Sequence, residues 1–208
     1  MRRPRFIAEQ ARHAKGPLGR LIAFIMARET WAGNLRAIDA LNIQPADHVL
    51  DIGCGHGRGL GELAARAPRG CAVGADPSDL MVQIAVERNH TLVKTGRAKV
   101  VVATASDLPF ADATFDGAVC VHVLYFWKDL QSSFREMARV LKPGAKLSLV
   151  FRSTQHGAAV QSFPSDVYRF PELAAVEAAL AEAGFVVAPA ARQEHDARAH
   201  LLLATRSA

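Results

Sequence analysis

From His48 onward the chain alternates short apolar runs with longer segments of helical period. The runs His48–Ile52, Cys71–Asp76, Lys99–Thr104, Asp116–His122 and Ala145–Arg152 are apolar with little in-and-out alternation. That pattern marks strands covered on both faces of a parallel sheet. Two more runs follow, near Phe185–Ala190 and His200–Thr205. Between the strands, Leu130, Phe134, Met137 and Leu141 recur at steps of four, three and four, which places them on one stripe of a helix over Lys128–Leu141. Lys142-Pro143-Gly144 should stop that helix, since Pro disfavours the helical region for its predecessor and Gly permits a tight return. Ser78–Val93 reads as a helix started by Pro77 or Ser78, with Leu80, Met81, Ile84 and Ala85 inward. Pro171–Ala183 carries Leu173, Val176 and Leu180 on one side and stops at Gly184. Such alternation predicts a doubly wound, mostly parallel α/β sheet of seven strands.

Ahead of the first strand, Leu18 to about Leu41 reads as one or two helices, apolar around Leu21, Phe24 and Ile25 and again at Leu35 and Ile38. An amphipathic helix must cover something, so this segment is expected to lie over the open edge of a site. The organisation expected is a basic arm and helical cap over 1–44, then the main domain over 45–208. A chain of 208 residues, 50% apolar and 22% charged, can bury a substantial core, which excludes a disordered tail or a disulfide miniprotein. The net charge of +5 is local: residues 1–20 hold six basic groups against Glu9 alone, and the other 188 hold 19 of each sign. A nucleic-acid enzyme would spread a basic surface around its groove, so nucleic acid is not the expected partner. The arm Arg2–Arg20 is expected to stay mobile, with weak contact to an anionic membrane surface as its alternative role. Leu21–Ala27, closed by Arg20 and Arg28, is too short to span a bilayer and lacks a cleavage site behind it. Cys54, Cys71 and Cys120 share no metal-ligand spacing and cannot all pair, which points to a reducing compartment; a cytoplasmic location and no metal are expected.

Candidate chemistry centres on Val49-Leu50-Asp51-Ile52-Gly53-Cys54-Gly55-His56-Gly57, where a buried strand runs through glycines into a helix. Glycines let backbone approach a ligand, and a helix start offers unpaired N–H groups. A dinucleotide fingerprint fails in every register, because the sixth position from Gly53, Gly55 or Gly57 is Arg58, Leu60 or Glu62. Asp51 would repel a pyrophosphate, whereas Asp76 at the next strand end can accept both hydroxyls of a ribose. Together they describe a nucleoside ligand that carries positive charge.

Four blocks in order, VLDIGCGHG at 49–57, GADPSDLM at 74–81, DLPFADATFDGAV at 107–119 and REMARVLKPGAKL at 135–147, resemble the class I S-adenosylmethionine-dependent methyltransferases. The nearest branch is that of the ubiquinone/menaquinone-biosynthesis C-methyltransferases, and the likeness covers roughly residues 35–206. The resemblance implies a Rossmann-like fold and S-adenosyl-L-methionine as cofactor. Gly53, Cys54 and Gly55 would approach the methionine portion, with Asp51 holding the loop or meeting the ammonium through water. Asp76 would grip the ribose, with Pro77, Ser78 and Met81 beside the adenine. Thr104 stands where the family often has a carboxylate, a departure that leaves the adenine to Thr104, Ala105, Ser106 and Asp107. Val121 and His122 would pass under the sulfonium.

On the acceptor side, His122 ends a central strand and can serve as general base for an acceptor that arrives protonated, with plain packing as the other reading. Tyr125, Phe126 and Trp127 cannot all point into one core, so at least one should face the acceptor. Arg152 ends the fifth strand and would hold an anionic group of the substrate, with a surface role as the equal alternative. His56, beside a sulfonium, should be neutral. Phe163, Tyr168 and Phe170 are the limited lid material after Arg152. The fourth strand leads into VHVLYFW, which lacks the Asn/Asp-Pro-Pro-aromatic motif of base-amine methylation. The function expected is methyl transfer to a small, lipophilic acceptor; the alternatives are an RNA or protein methyltransferase and a non-catalytic S-adenosylmethionine-binding module.

Overall fold

The computed structural model describes residues 4–195 and 199–208. Three helices come first, α1 (Arg5–Arg12), α2 (Gly16–Glu29) and α3 (Trp31–Leu41). The alternating part follows as β1 (His48–Ile52), α4 (Arg58–Arg66), β2 (Cys71–Asp76), α5 (Asp79–Arg88), α6 (His90–Lys94), β3 (Ala98–Val102) and β4 (Phe115–Val121). It closes with α7 (Leu130–Val140), β5 (Leu141–Phe151), α8 (Gly157–Gln161), α9 (Leu173–Glu182), β6 (Phe185–His195) and β7 (Ala199–Arg206). The seven strands stand in the order β3-β2-β1-β4-β5-β7-β6. Strands β1 to β5 pair in parallel, and β7 runs antiparallel to both its neighbours. Strand order reverses beside β1, and open α/β sheets bind ligands at that switch point, outside the carboxyl ends of the strands.

Successive strand residues point to opposite faces, and each face has its own core. Leu50, Ala118 and Leu149 join Phe134, Met137 and Leu180 on one side. Val49, Val119 and Val150 join Ile38, Leu41, Leu60 and Leu63 on the other. The apolar runs lack alternation because both faces are covered.

Three expectations are corrected by the structure. The helix over Ser78–Val93 is broken at Asn89, whose buried side chain donates to the carbonyls of Gly57 (2.8 Å) and Ala85 (2.9 Å). Ser78 caps α5 as expected, accepting from the Met81 N–H at 3.4 Å. Lys142-Pro143-Gly144 follows the end of α7 at Val140 but does not precede the strand; β5 already pairs at Leu141 with Phe115, and residues 142–145 form a bulge before Lys146 meets Gly117. Gly144 sits at φ +80°, a conformation that only glycine adopts without strain.

The third correction concerns the N-terminus. Arg5–Arg12 is helical, with Ala8 buried, so the arm is not a mobile segment over its described length; Arg2 and Arg3 lie outside the described residues. Leu21, Phe24 and Ile25 face water instead of the site, at 57%, 55% and 48% exposure. The stripe was legible in the sequence, but periodicity carries no information about which side of a helix meets the domain. Among the described residues, no helix is long and apolar enough to cross a membrane.

Candidate active site

At the carboxyl end of β1 the chain turns through Gly53 (φ +74°), Gly55 (φ +52°) and Gly57 (φ +73°) into α4. The loop is tied to the neighbouring strand, because the Gly53 and Cys54 N–H groups both donate to the Ala75 carbonyl, at 2.8 and 3.2 Å. Asp76, at the end of β2, accepts from the Gly55 N–H through Oδ2 and from the Ser78 N–H through Oδ1, both at 2.9 Å. Burial pushes the Asp76 carboxyl up, and the two N–H bonds oppose that rise. One carboxylate therefore joins the glycine loop to the start of α5.

The three loop glycines answer different needs. A Cβ on Gly53 would stand 2.4 Å from Cγ1 of Val123, and one on Gly57 would stand 2.6 Å from the Ala85 Cβ. A Cβ on Gly55 would meet nothing within 4 Å, since it points into an open cleft. That cleft has a volume of about 920 Å³. Gly53, Cys54, Gly55, Asp76, Pro77 and Ser78 are in its wall, with Met81, Thr104, Ala105, Ser106, Val121 and His122. Phe126 and Trp127 are there too.

Four sequence-selected residues do not reach the wall. Asp51 is buried behind the glycine loop, where its Oδ2 stands 2.7 Å from where a Gly59 Cβ would be, so it can act only through the loop. Asp107 is exposed and turned back on Thr104, whose carbonyl accepts its N–H at 3.2 Å, so it does not substitute at the adenine end. Tyr125 is in the core, packed on Phe126, Tyr168 and Phe170, and its hydroxyl accepts the Arg152 N–H at 2.6 Å. Arg152 turns its guanidinium over Phe163 at 5.2 Å instead of into the cleft. Phe163, Tyr168 and Phe170 thus complete an aromatic cluster behind Tyr125 and form no lid.

Other wall residues were not selected from the sequence. Glu9–Lys15, from the end of α1 and the turn after it, cover the cleft, and the buried Ser78 hydroxyl donates to the Ala14 carbonyl at 2.9 Å. Trp31 and Asn34 of α3 form another side, with the Arg58 guanidinium 3.8 Å over the Trp31 ring. Nothing in the spacing of residues 9–15 marks them as a wall; a short amphipathic helix reads the same on any surface. Since they hold the start of α5, deleting residues 1–15 should weaken cofactor binding about tenfold, measurable by calorimetry, by losing the wall and a buried hydrogen bond.

At the other end, the segment that follows Thr104–Ser106 is held from α7. The Arg139 guanidinium donates to the carbonyls of Leu108 (3.0 Å) and Phe110 (2.8 Å) and pairs with Asp112 and Glu136. Glu136 in turn accepts the Leu108 N–H at 2.8 Å. Both residues stand in the REMARVL block, so their signal was present in the sequence without a role.

Two buried carboxylates, Asp51 and Asp76, stand at the glycine loop. Burial, and then the charge of Asp76, raise Asp51 to about 7. Below its ordinary value near 3.8 this group's contribution to stability is fully present, and it is lost as pH rises through about 7. A cationic ligand favours the ionised form, so its affinity should increase as pH passes through that same range. Calorimetry and thermal melts from about pH 5 to about pH 8 should show both trends, flattened in Asp51→Asn. Burial and the nearby Arg88 lower His56 to about 4, and its Nδ1 accepts the Arg58 N–H at 3.0 Å, so it is neutral. Burial pushes the Cys54 thiol up, which makes it a packing group.

Comparison with known proteins bears on this arrangement. Residues 50–149 match the family described as "Methyltransferase domain". An O-methyltransferase of Pyrenophora dematioidea is 32% identical over 115 residues, 55% of this chain and 43% of that protein. The ubiquinone/menaquinone biosynthesis C-methyltransferase UbiE of Geotalea daltonii is 32% identical over 119 residues, 57% of this chain and 51% of that protein. The chain spans about half the length of these curated relatives. Among solved structures, a SAM-dependent methyltransferase from Aquifex aeolicus superposes with a TM-score of 0.71 at 20% identity, covering 83% of this chain and 88% of that one. At that identity the likeness establishes the fold.

Proposed function

We propose that this chain, whose residues 50–149 match a methyltransferase domain, is a class I S-adenosylmethionine-dependent methyltransferase that moves a methyl group from S-adenosylmethionine to a small molecule. The observation that carries the reading is the open space at Gly55 beside a buried carboxylate that is already held by two N–H groups. That cradle admits a ligand's chain at the loop and a ribose at Asp76, within a cleft of adequate size. Gly53, Cys54 and Gly55 would line the methionine portion, Asp76 would take the ribose, and Pro77, Ser78, Met81 and Thr104–Ser106 would enclose the adenine. Asp51, behind the loop, would supply negative potential. When bound, S-adenosylmethionine supplies a methyl group already activated by its sulfonium. The chain's task is then alignment and exclusion of water, contributions that reach about 7–11 kcal/mol.

The acceptor would lie toward Val121, His122, Phe126 and Trp127. Relatives named as O- and C-methyltransferases, and a charge-balanced body, favour a small molecule over a nucleic acid. His122 stands at φ +58° with its Nδ1 2.9 Å from the Tyr125 hydroxyl. That hydroxyl also accepts from the Arg152 N–H; we assign its own proton to His122 Nδ1, which places the imidazole N–H on Nε2. In that tautomer His122 donates toward an acceptor, so we assign it to positioning ahead of base catalysis. The test is a methyl-transfer screen over phenols, quinols, amines and phospholipid headgroups. On a verified acceptor, His122→Ala should reduce turnover about tenfold with the pH profile intact, while Trp127→Ala raises KM. A loss of about 10²–10⁴-fold with the acid limb gone would instead make His122 the base. No transfer to any acceptor from a chain that binds S-adenosylmethionine would overturn the catalytic reading.

A further inference from the structure

The large apolar side chains left in water are concentrated at one place. Of the seven exposed ones among the described residues, Phe6, Leu18, Leu21, Phe24 and Ile25 belong to α1 and α2. Leu18, Leu21, Ile25 and Arg28 follow one another on α2 at steps of three, four and three, with Phe24 beside them, so they form one stripe. Gly19 and Ile22, on the other side of the helix, are buried. The fold thus uses one face of α2 and leaves the other without a partner among the described residues.

Charge indicates what covers it. Residues 1–29 hold seven basic groups and two acidic ones, and the rest of the chain holds 18 of each, so the whole excess of +5 belongs to this segment. Arg5 and Arg20 are paired, with Glu9 and Glu87 respectively. Arg28 lies within the stripe itself, 5.7 Å over the Phe24 ring. A second copy would bring like charge against like, and a neutral protein surface would leave the excess unused. An anionic lipid surface uses both features, because apolar side chains enter the acyl boundary while cations meet headgroups.

We propose that the outer face of α2, with Arg28 at headgroup level, docks this chain on an anionic membrane surface. The helix lies in the interface plane, since 14 residues at about 1.5 Å each fall short of a bilayer. Gln10–Lys15, which cover the cleft, lead directly into α2, so docking brings the cleft's cover to the lipid. The docking does not depend on the catalytic reading above.

The test is sedimentation of the full chain with vesicles of phosphatidylcholine, alone or with about a third phosphatidylglycerol. Binding should require the anionic lipid, fall with added salt, and weaken about tenfold or more in Leu21→Glu and Ile25→Glu. Arg28→Gln should weaken it less, and the milder Leu21→Ser, with a melt unchanged from wild type, separates loss of docking from loss of fold. Sinefungin affinity should be unaltered in all four variants, since none of these residues touches the cleft. No binding, equal binding to both vesicle types, or binding indifferent to the stripe would overturn the proposal. So would a dimer that the same substitutions dissolve, which would give the face to a second copy. If wild type sediments with anionic vesicles yet binds no sinefungin, the docking stands and the cofactor reading fails.

Discussion

Gly55→Val should abolish S-adenosylmethionine binding while leaving a folded protein, and Gly53→Val should do the reverse damage. Both positions have positive φ, which costs a β-branched residue about 1–3 kcal/mol wherever it occurs. The difference lies in what the new side chain meets. At Gly55 its Cβ meets nothing within 4 Å, so the added cost falls on the ligand whose space it takes. At Gly53 the Cβ would come 2.4 Å from Val123 Cγ1 and 3.0 Å from Val123 Cβ, and a stiff Val side chain has no alternative position. Overpacking of that kind adds about 1–3 kcal/mol to the strain. Thermal melts should therefore rank Gly53→Val well below Gly55→Val, and calorimetry should find no binding by Gly55→Val at any accessible concentration. Wild-type affinity in Gly55→Val would mean that the cleft, however open, does not hold the cofactor at this loop.

Asp76→Ala should reduce cofactor affinity by about 10²-fold or more, because hydrogen bonds to a charged group are worth about 1.5–3 kcal/mol each and a ribose offers two hydroxyls. Its effect on stability should be smaller. Removing the side chain leaves the Gly55 and Ser78 N–H groups without their acceptor, at about 1–3 kcal/mol each, but it also removes a carboxylate whose burial is unfavourable enough to raise its proton affinity. The two effects oppose each other in folding and act together in binding. Asp76→Asn keeps an acceptor for one N–H but offers no charge, so it should melt close to wild type and still bind poorly. Similar affinity in all three proteins would show that Asp76 serves only to hold the loop.

How much of this was legible beforehand differs along the chain. The bounds of β1 and β2 were correct to the residue, since both strands are apolar on both faces and end on a glycine turn or a carboxylate with few other uses. The order of the four blocks was enough for the sheet and for the wall from Gly53 to His122. Where a residue's role depends on a distant partner, sequence reading failed. Asn89 looks like one more helix residue until Gly57, 32 positions earlier, is seen to accept its amide proton. Tyr125 lies in a 3₁₀ turn over Leu124–Phe126 that Trp127 closes, yet the first enters the core and the second the cleft. Only the placement of Tyr168 and Phe170 decides which. At Arg152 a substrate-holding role and a surface role read alike from a strand end; only the position of Phe163 shows that the guanidinium stays out of the cleft.

The position of β7 has a consequence for how the molecule is made. This strand follows β5 and β6 in the chain, yet it stands between them and pairs with both. While a ribosome is still producing Ala199–Arg206, β5 has a bare edge on its outer side, and Phe185–His195 has no strand to join. Leu147, Leu149 and Phe151 are meanwhile without the Leu202 side that finishes their burial. The nascent chain therefore carries an unpaired, strongly apolar strand until Ala199–Arg206 has been made, the condition in which edge-to-edge association competes with folding. Expression at high ribosome density, or with the last ten residues cut away, should yield inclusion bodies, whereas a holdase chaperone that shields strand edges should raise the soluble fraction.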